Sequence, residues 1–354
     1  MNKRIISLCT AALLGVSLLS GCSGTGTQSQ SNAGSTGSQA SGGGSGEVVT
    51  LKGGCTNNPT SASFAYAESF ADILEEVSGG KMTLEWFGGG TLGSTAQHYA
   101  QLKAGTLDMF STGVDTATSL VGGEDFAAFV VPYMFNDTEH MEKFLASDIM
   151  AELLAKVEPE NNVKFLGNIC TSAPRGLSTT NTPVYVPEDV AGLRLRVPES
   201  PSIQEVWHRW GANPVQISAN ELYSALDGGL ADGQDNNVLS MWNSAYCEVQ
   251  KYYMELEYIQ NPQVVWISAN TWNKLDETQQ GWLMEAVEKA YEVNTADAQV
   301  EYEESKQNCI NAGLEFVEFD RQAFVDSANA IAQEMDGEMF SEGLYDKIKA
   351  LDEE

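Results

Sequence analysis

In residues 173–237, Ala173-Pro174-Arg175-Gly176-Leu177-Ser178 is followed by Pro187-Glu188-Asp189-Val190-Ala191-Gly192-Leu193-Arg194-Leu195-Arg196-Val197-Pro198, then Glu221-Leu222-Tyr223-Ser224-Ala225-Leu226 and Asp232-Gly233-Gln234-Asp235-Asn236-Asn237. The whole chain carries 49 acidic and 19 basic residues and a formal charge of −30, so Arg175, Arg194 and Arg196 within 22 positions concentrate positive charge against the background. From Leu193 to Val197 apolar and basic residues alternate. A strand with that period puts Arg194 and Arg196 on one face and Leu193, Leu195 and Val197 on the other. Two readings fit the alternation. One is an edge strand whose solvated arginines protect it from further pairing. The other is a fixed guanidinium fork at the mouth of a cleft, holding a carboxylate through paired hydrogen bonds.

These residues resemble a known family, the extracytoplasmic solute-binding subunits of TRAP (tripartite ATP-independent periplasmic) transporters. The Pro-Glu-Asp-x-x-Gly-x-x-x-Arg-Val-Pro block, Glu-x-Tyr-x-Ala-Leu and Asp-Gly-Gln-x-Asn carry the resemblance, which extends over most of the chain after Val48. It implies an α/β, two-lobed periplasmic-binding-protein-like fold with a hinge and a cleft that closes on an organic acid. It further implies that Arg196 grips the ligand carboxylate, that Arg175 makes a second contact, and that the amide of Asn236 holds a ligand oxygen. The implied partners are a small organic acid and the membrane subunits of the transporter.

The N-terminus is read from its residues. Lys3 and Arg4 precede an apolar run from Ile5 to Leu19, which ends in Leu19-Ser20-Gly21-Cys22. A basic start and a short apolar core describe a secretory leader rather than a membrane span. Leu-Ser-Gly-Cys resembles a bacterial lipobox, implying cleavage before a lipid-modified Cys22 and anchoring to the extracytoplasmic face of a membrane. Residues 23–46 are nearly all Ser, Gly, Thr, Gln and Ala, a composition suited to a flexible tether. About 300 residues follow, enough for two lobes. The expected division is 47–172 with about 262–300 in one lobe, and 173–261 with about 301–354 in the other.

Composition excludes several functions. Nucleic acid is not an expected partner, because phosphate binding needs a basic footprint that this chain lacks. Cys55, Cys170, Cys247 and Cys309 show no Cys-x-x-Cys spacing, and His98, His140 and His208 form no ligand pair, so no metal or cofactor is expected. The four cysteines fit either two disulfides or buried thiols. Gly88-Gly89-Gly90-Thr91-Leu92-Gly93 satisfies Gly-x-Gly-x-x-Gly formally, but the acidic residue of a dinucleotide site is poorly placed. The Leu92-Gly93 pair instead resembles one that follows the second strand in the TRAP-binding family. The chain contains no Gly-x-Ser-x-Gly elbow or His-Glu-x-x-His helix, and no catalytic residue is assigned; an extracellular enzyme or an adhesion protein are the other classes weighed.

Along the chain, strands are expected at 48–53, 81–87, 107–111 and 163–169, with helices at 61–77, 95–104 and 139–157. Ser111, Thr112 and Gly113 follow the third strand, where open α/β sheets place ligands, and are taken as cleft residues. Phe126–Phe135 is expected in the core, with further helices at 200–210 and 220–226. The strand from Gln263 to Ser268 should cross back to the first lobe; its Trp266 reads either as a cleft aromatic or as core. Asp276 and Gln279 form a capping box for a helix running to Ala312, where Gly313 stops it. Such a helix is longer than one lobe needs and is expected to lie along both. The ligand remains open between a polyhydroxylated sugar acid such as a uronate and a C4-dicarboxylate.

Overall fold

The computed structural model describes residues 48–352, Glu199 excepted. The expected leader, Cys22 and the tether lie outside the described residues. Local capping chemistry sets most element bounds. Strand β1 (Val49–Cys55) leads to α1 (Ala62–Val77), whose N-cap is Ser61, the hydroxyl accepting from Phe64 N at 3.3 Å. Strand β2 (Met82–Phe87) then leads to α2 (Thr95–Ala104), where Ser94 and Gln97 cap one another reciprocally. The glycine run between them takes positive φ at Gly89, Gly90 and Gly93, and a Cβ on Gly93 would lie 2.6 Å from the Gln97 side chain. Those glycines therefore make a turn into a helix start.

Strand β3 (Met109–Gly113) runs two residues beyond its expected end, so Ser111, Thr112 and Gly113 are its last rungs rather than the loop beyond it. The single helix expected at 139–157 is two, α3 (Thr138–Leu145) and α4 (Asp148–Asn161). Ser147 breaks them by acting as N-cap, its hydroxyl accepting from Met150 N at 3.3 Å. Strand β4 (Val163–Ser172) follows. The next stretch holds β5 (Gly176–Thr179), β6 (Arg194–Val197), α5 (Pro201–Arg209), β7 (Asn213–Gln216), α6 (Ala219–Asp227), β8 (Gly233–Asn236), α7 (Val238–Asn243) and β9 (Tyr252–Met254). The chain closes with β10 (Asn261–Ser268), α8 (Ala269–Trp272), α9 (Glu277–Ala312), β11 (Glu315–Phe316), α10 (Arg321–Met335) and α11 (Leu344–Ala350).

Two sheets result. The first has the order β2-β1-β3-β10-β4, with β1, β2 and β3 parallel and β10 antiparallel to both of its neighbours. The second has the order β11-β9-β5-β8-β6-β7, with β6 parallel to β7 and β8. The strand–helix–strand reading of the first lobe predicts its parallel portion. The return of β10 into the middle of that sheet adds the antiparallel pairs, since its chain direction is set by arrival from the other lobe.

The segments that pass between the sheets run side by side. Arg175 N donates to Ile259 O at 3.0 Å, and Tyr258 N donates to Arg175 O at 3.4 Å. Helix α9 makes a further link. It is 36 residues long, about 54 Å at 1.5 Å rise, with the expected Asp276–Gln279 capping box and Gly313 in the left-handed conformation at its end. Its first half buries Leu283, Ala286, Val287 and Ala290 against the first sheet. Close approach there depends on Gly167 of β4, where a Cβ would meet Val287 at 2.8 Å. Further along, Asn294 Nδ2 donates to Tyr66 O and Ile169 O at 3.1 and 2.9 Å, and Cys309 near its end joins the core of the second lobe. The fold is thus two-lobed α/β with the long helix between the lobes.

Apolar packing is not partitioned lobe by lobe. The Phe126–Phe135 stretch shares one continuous core with Leu195 and Val197 of β6, Trp207 of α5 and Phe324 of α10. Among the described residues, no helix is long and apolar enough to cross a membrane.

Candidate functional site

A cleft of about 660 Å³ opens beside the segments that join the two sheets. One wall comes from the first lobe: Thr112 and Gly113 at the end of β3, Gln263 of β10, and the starts of α1 and α2 at Ser61 and Ser94. The other comes from the second lobe: Arg175, Arg196, Asn236 and the α7 side chains Ser240 and Asn243. Most of the lining is hydroxyl and amide. Among the described residues, Arg175 and Arg196 are the only charged side chains that line it, in a chain with a 30-charge acidic excess.

Strand β6 positions Arg196. Its neighbours Leu195 and Val197 are fully buried, which fixes the backbone, and the Arg196 side chain is itself only 4% exposed. Its Nε donates to Ile217 O at 2.8 Å, holding the plane of the guanidinium. No carboxylate among the described residues pairs with it. Burial lowers its pKa; Asp235 works in the opposite direction and Arg175 adds to the lowering. A guanidinium stays protonated in such surroundings, so Arg196 carries a buried charge that no directly paired carboxylate among the described residues neutralises.

Arg175 lies on the same wall in a different electrostatic state. Its Nε donates to Asp235 Oδ2 at 2.7 Å, and its Nη2 donates to Asp235 Oδ1 and the Asp235 carbonyl at 2.9 and 3.0 Å. Burial opposes the charge on Arg175, but Asp235 outweighs it and holds the pKa above the ordinary guanidinium value. Asp235 is fully buried. Burial alone would raise its pKa, yet Arg175 and a 2.5 Å hydrogen bond from the Tyr258 hydroxyl pull it below the usual carboxylate range. Arg175 therefore reaches the cleft as part of a neutralised pair. Asp115 stands nearby; burial raises its pKa and Arg175 partly offsets that.

The remaining expected site residues divide. Thr112, Gly113 and Asn236 line the cleft with the two arginines. Asn236 Nδ2 donates to Gln234 Oε1 at 3.3 Å, which orients the amide. Ser111 does not line the cleft. It alternates away from Thr112 along β3, is fully buried, and accepts from Gln263 Nε2 at 2.8 Å, supporting a lining residue from behind. Trp266 is not a cleft aromatic either. It is fully buried against Tyr99, Phe126 and Phe165, because its register on β10 points it into the core face of the sheet. Arg194 shares the period of Arg196 but lies at the exposed start of β6, where it pairs with Asp232 at 2.5 Å. The strand face is solvent at one end and cleft at the other.

Several lining residues escaped the sequence reading. Ser61, Ser94 and Asn237 are helix N-caps that also border the cleft, bringing the starts of α1, α2 and α7 to it. Their capping signature is legible locally, but convergence on one cleft is a property of the tertiary fold. Two of the histidines are packing residues, His98 stacking on Phe110 and His140 buried beside the Ile348 carbonyl, while His208 is exposed on α5. No cluster that could hold a metal occurs among the described residues.

The chain is similar to known proteins over the same region. Residues 54–338 match the family described as bacterial extracellular solute-binding protein, family 7. The sialic acid-binding periplasmic protein of Vibrio cholerae is 27% identical over 304 residues, covering 86% of this chain and 93% of that protein. The structure of a TRAP periplasmic solute-binding protein from Roseobacter denitrificans with bound L-galactonate is 26% identical, with a TM-score of 0.74 and coverage of 87% of this chain and 99% of that one. The corresponding Citrobacter koseri protein, with bound D-glucuronate, is 26% identical, with a TM-score of 0.73 and coverage of 86% and 98%. A two-lobed fold with a long helix between the lobes, a polar cleft between two sheets and a family match over most of the described chain lead to one conclusion: this chain belongs to the TRAP transporter solute-binding family, whose members are transport proteins of the extracytoplasmic space.

Proposed function

We propose that the protein captures an organic acid anion in this cleft, with the ligand carboxylate paired to Arg196, and hands it unchanged to the membrane subunits of a TRAP transporter. One observation carries the reading: the cleft of a strongly acidic chain is lined by no charged groups other than two arginines among its described residues, and one of these has no counter-ion. An incoming carboxylate supplies that counter-charge through the planar donors that, among the described residues, only the Ile217 carbonyl engages. Arg175, already balanced by Asp235, offers its remaining donors as a weaker second contact. Asn236 and Thr112 hold ligand oxygens.

The hydroxyl- and amide-rich lining suits a polyhydroxylated sugar acid, each hydroxyl of which needs a partner once water is removed. This agrees with the ligands bound by the similar Roseobacter and Citrobacter proteins. Closure of residues 47–172 with about 262–300 onto 173–261 with about 301–354 would exclude water and strengthen the ionic contact. Cys22 carries the lipid that keeps the receptor at the membrane after the leader is removed.

Calorimetry with D-glucuronate, D-galacturonate, L-galactonate and succinate tests the binding reading, supported by mass spectrometry of co-purified small molecules. A sugar acid should bind more tightly than succinate and be recovered unchanged. Tighter succinate binding would favour a C4-dicarboxylate, and turnover of any acid would point to an enzyme. Lipid attachment is tested by mass analysis of the mature N-terminus, where Cys22→Ala should release the protein from membranes.

A further inference from the structure

The four cysteines after the leader, undecided in sequence, have distinct surroundings. Cys55 and Cys170 are buried separately, the Cys170 thiol donating to Asn294 O at 3.6 Å. Cys247 and Cys309 differ: both are buried in the same apolar cluster, and the turn that carries Cys247 packs on the helix that carries Cys309. Cys247 sits on the short turn Tyr246–Glu248, which follows Ala245 in the left-handed conformation and packs on α9. Cys309 sits in the last turn of α9, its carbonyl accepting from Leu314 N at 3.0 Å.

We propose that Cys247 and Cys309 form a disulfide as the exported chain folds, fastening the end of α9 to the cleft wall. The preceding residue, Tyr246, lines the cleft, so the bond would tie the long helix to the site through a single residue. The proposal rests on export, because extracytoplasmic compartments permit disulfides that a reducing interior does not. Each thiol is pushed upward by burial in the folded state, Cys309 to about 12, which disfavours the reactive thiolate once folding is complete. Oxidation therefore belongs to the folding chain, before the cluster closes.

The chemistry is thiol–disulfide exchange with a small or protein disulfide as oxidant. The thiolate of one cysteine attacks the oxidant's S–S bond, forming a mixed disulfide and releasing one thiolate, which takes up a proton. The second protein thiolate then displaces the other oxidant sulfur. Two protein thiols lose two electrons and two protons, and one oxidant disulfide becomes two thiols. The loop so closed spans roughly sixty residues, long enough for its closure in the unfolded chain to weigh on stability.

The test uses the full chain, both as exported and as reduced, denatured protein refolded to equilibrium in mixed oxidised and reduced glutathione. Each sample is denatured in iodoacetamide, digested and mapped. A Cys247–Cys309 cross-linked peptide is expected, with Cys55 and Cys170 alkylated. Alkylation of both Cys247 and Cys309 after equilibration, or cross-linking of either to another cysteine, overturns the pairing. A cross-link formed in glutathione but missing from the exported protein sustains the pairing and counts against export. Reduction should lower the melting temperature by about 5–10 °C. The double variant Cys247→Ser/Cys309→Ser should not respond to reductant. A cross-linked wild type whose melting is unmoved by reduction would overturn the fastening role.

Discussion

Arg196, on β6, and Arg175, on the segment that enters β5, border one cleft yet differ in what surrounds them. Arg175 meets a fully buried carboxylate that takes two of its nitrogens, whereas Arg196 meets a backbone carbonyl and has no directly paired carboxylate among the described residues. The difference is a division of labour. A buried arginine with its own aspartate is part of the scaffold, since removing either partner strands a charge in low dielectric. A buried arginine without one is costly to the scaffold and is poised for an anion from outside. Both sit in the second lobe, opposite a first-lobe wall of hydroxyls, amides and helix starts. Charge is thus supplied by the second lobe alone, while both lobes supply hydroxyls and amides.

The sharpest break in this comparison is Arg196→Ala. Calorimetry with the bound acid should show a loss of about a hundredfold or more, as expected when one partner of a buried, hydrogen-bonded charge pair is truncated. The melting temperature of the unliganded protein should hold or rise, because an uncompensated buried charge is removed. A loss of less than tenfold would remove Arg196 from the central role.

Asp235→Asn attacks the other arginine. It leaves Arg175 charged without its carboxylate and should cost about 3–5 kcal/mol of stability, measured by denaturant unfolding. The pH dependence follows from the same pair. The folded-state pKa of Asp235 is depressed, so its contribution is present above the unfolded value near 3.9 and is lost as pH falls through the folded value. Wild-type stability should therefore decline below about pH 4. The Asp235→Asn variant should lack that part of the decline, and identical pH profiles would show that the pair does not carry it.

Smaller effects sharpen the contrast between the walls. Thr112→Val keeps shape but removes a hydroxyl, and should weaken sugar-acid binding about fivefold, the worth of one hydrogen bond. No change on titration would place the ligand oxygens elsewhere. Arg194→Gln should leave affinity unchanged, since that guanidinium faces solvent at the start of β6 and is engaged by Asp232. A clear loss would mean that the exposed end of the strand also contributes to the cleft.

Much of the architecture was legible because it rests on local chemistry. The capping box at Asp276 and the glycine at 313 set the ends of α9, and the Ser61 and Ser94 caps set α1 and α2. Where two local signals compete, the bounds move: the Ser147 N-cap splits the expected 139–157 helix. The cleft was legible in part. Arg196, Arg175, Asn236, Thr112 and Gly113 line it, while Ser111 and Trp266 do not, because facing depends on strand register and on which sheet face is covered. A lone strand carries the alternation but not the identity of its covered face.

Sequence alone determined the element order, the long helix with its stops, the acidic background and the cluster of arginines, since each follows from neighbours within a few positions. It also carried the family resemblance, through motifs that are themselves local. Only the tertiary structure decided which arginine is neutralised, because Asp235 lies 60 positions from Arg175 and reaches it by pairing β8 with β5. The same holds for Cys247 beside Cys309 and for the helix starts that meet at the cleft. Charge balance and proximity in a folded chain are set by contacts between distant segments, and no local pattern encodes them.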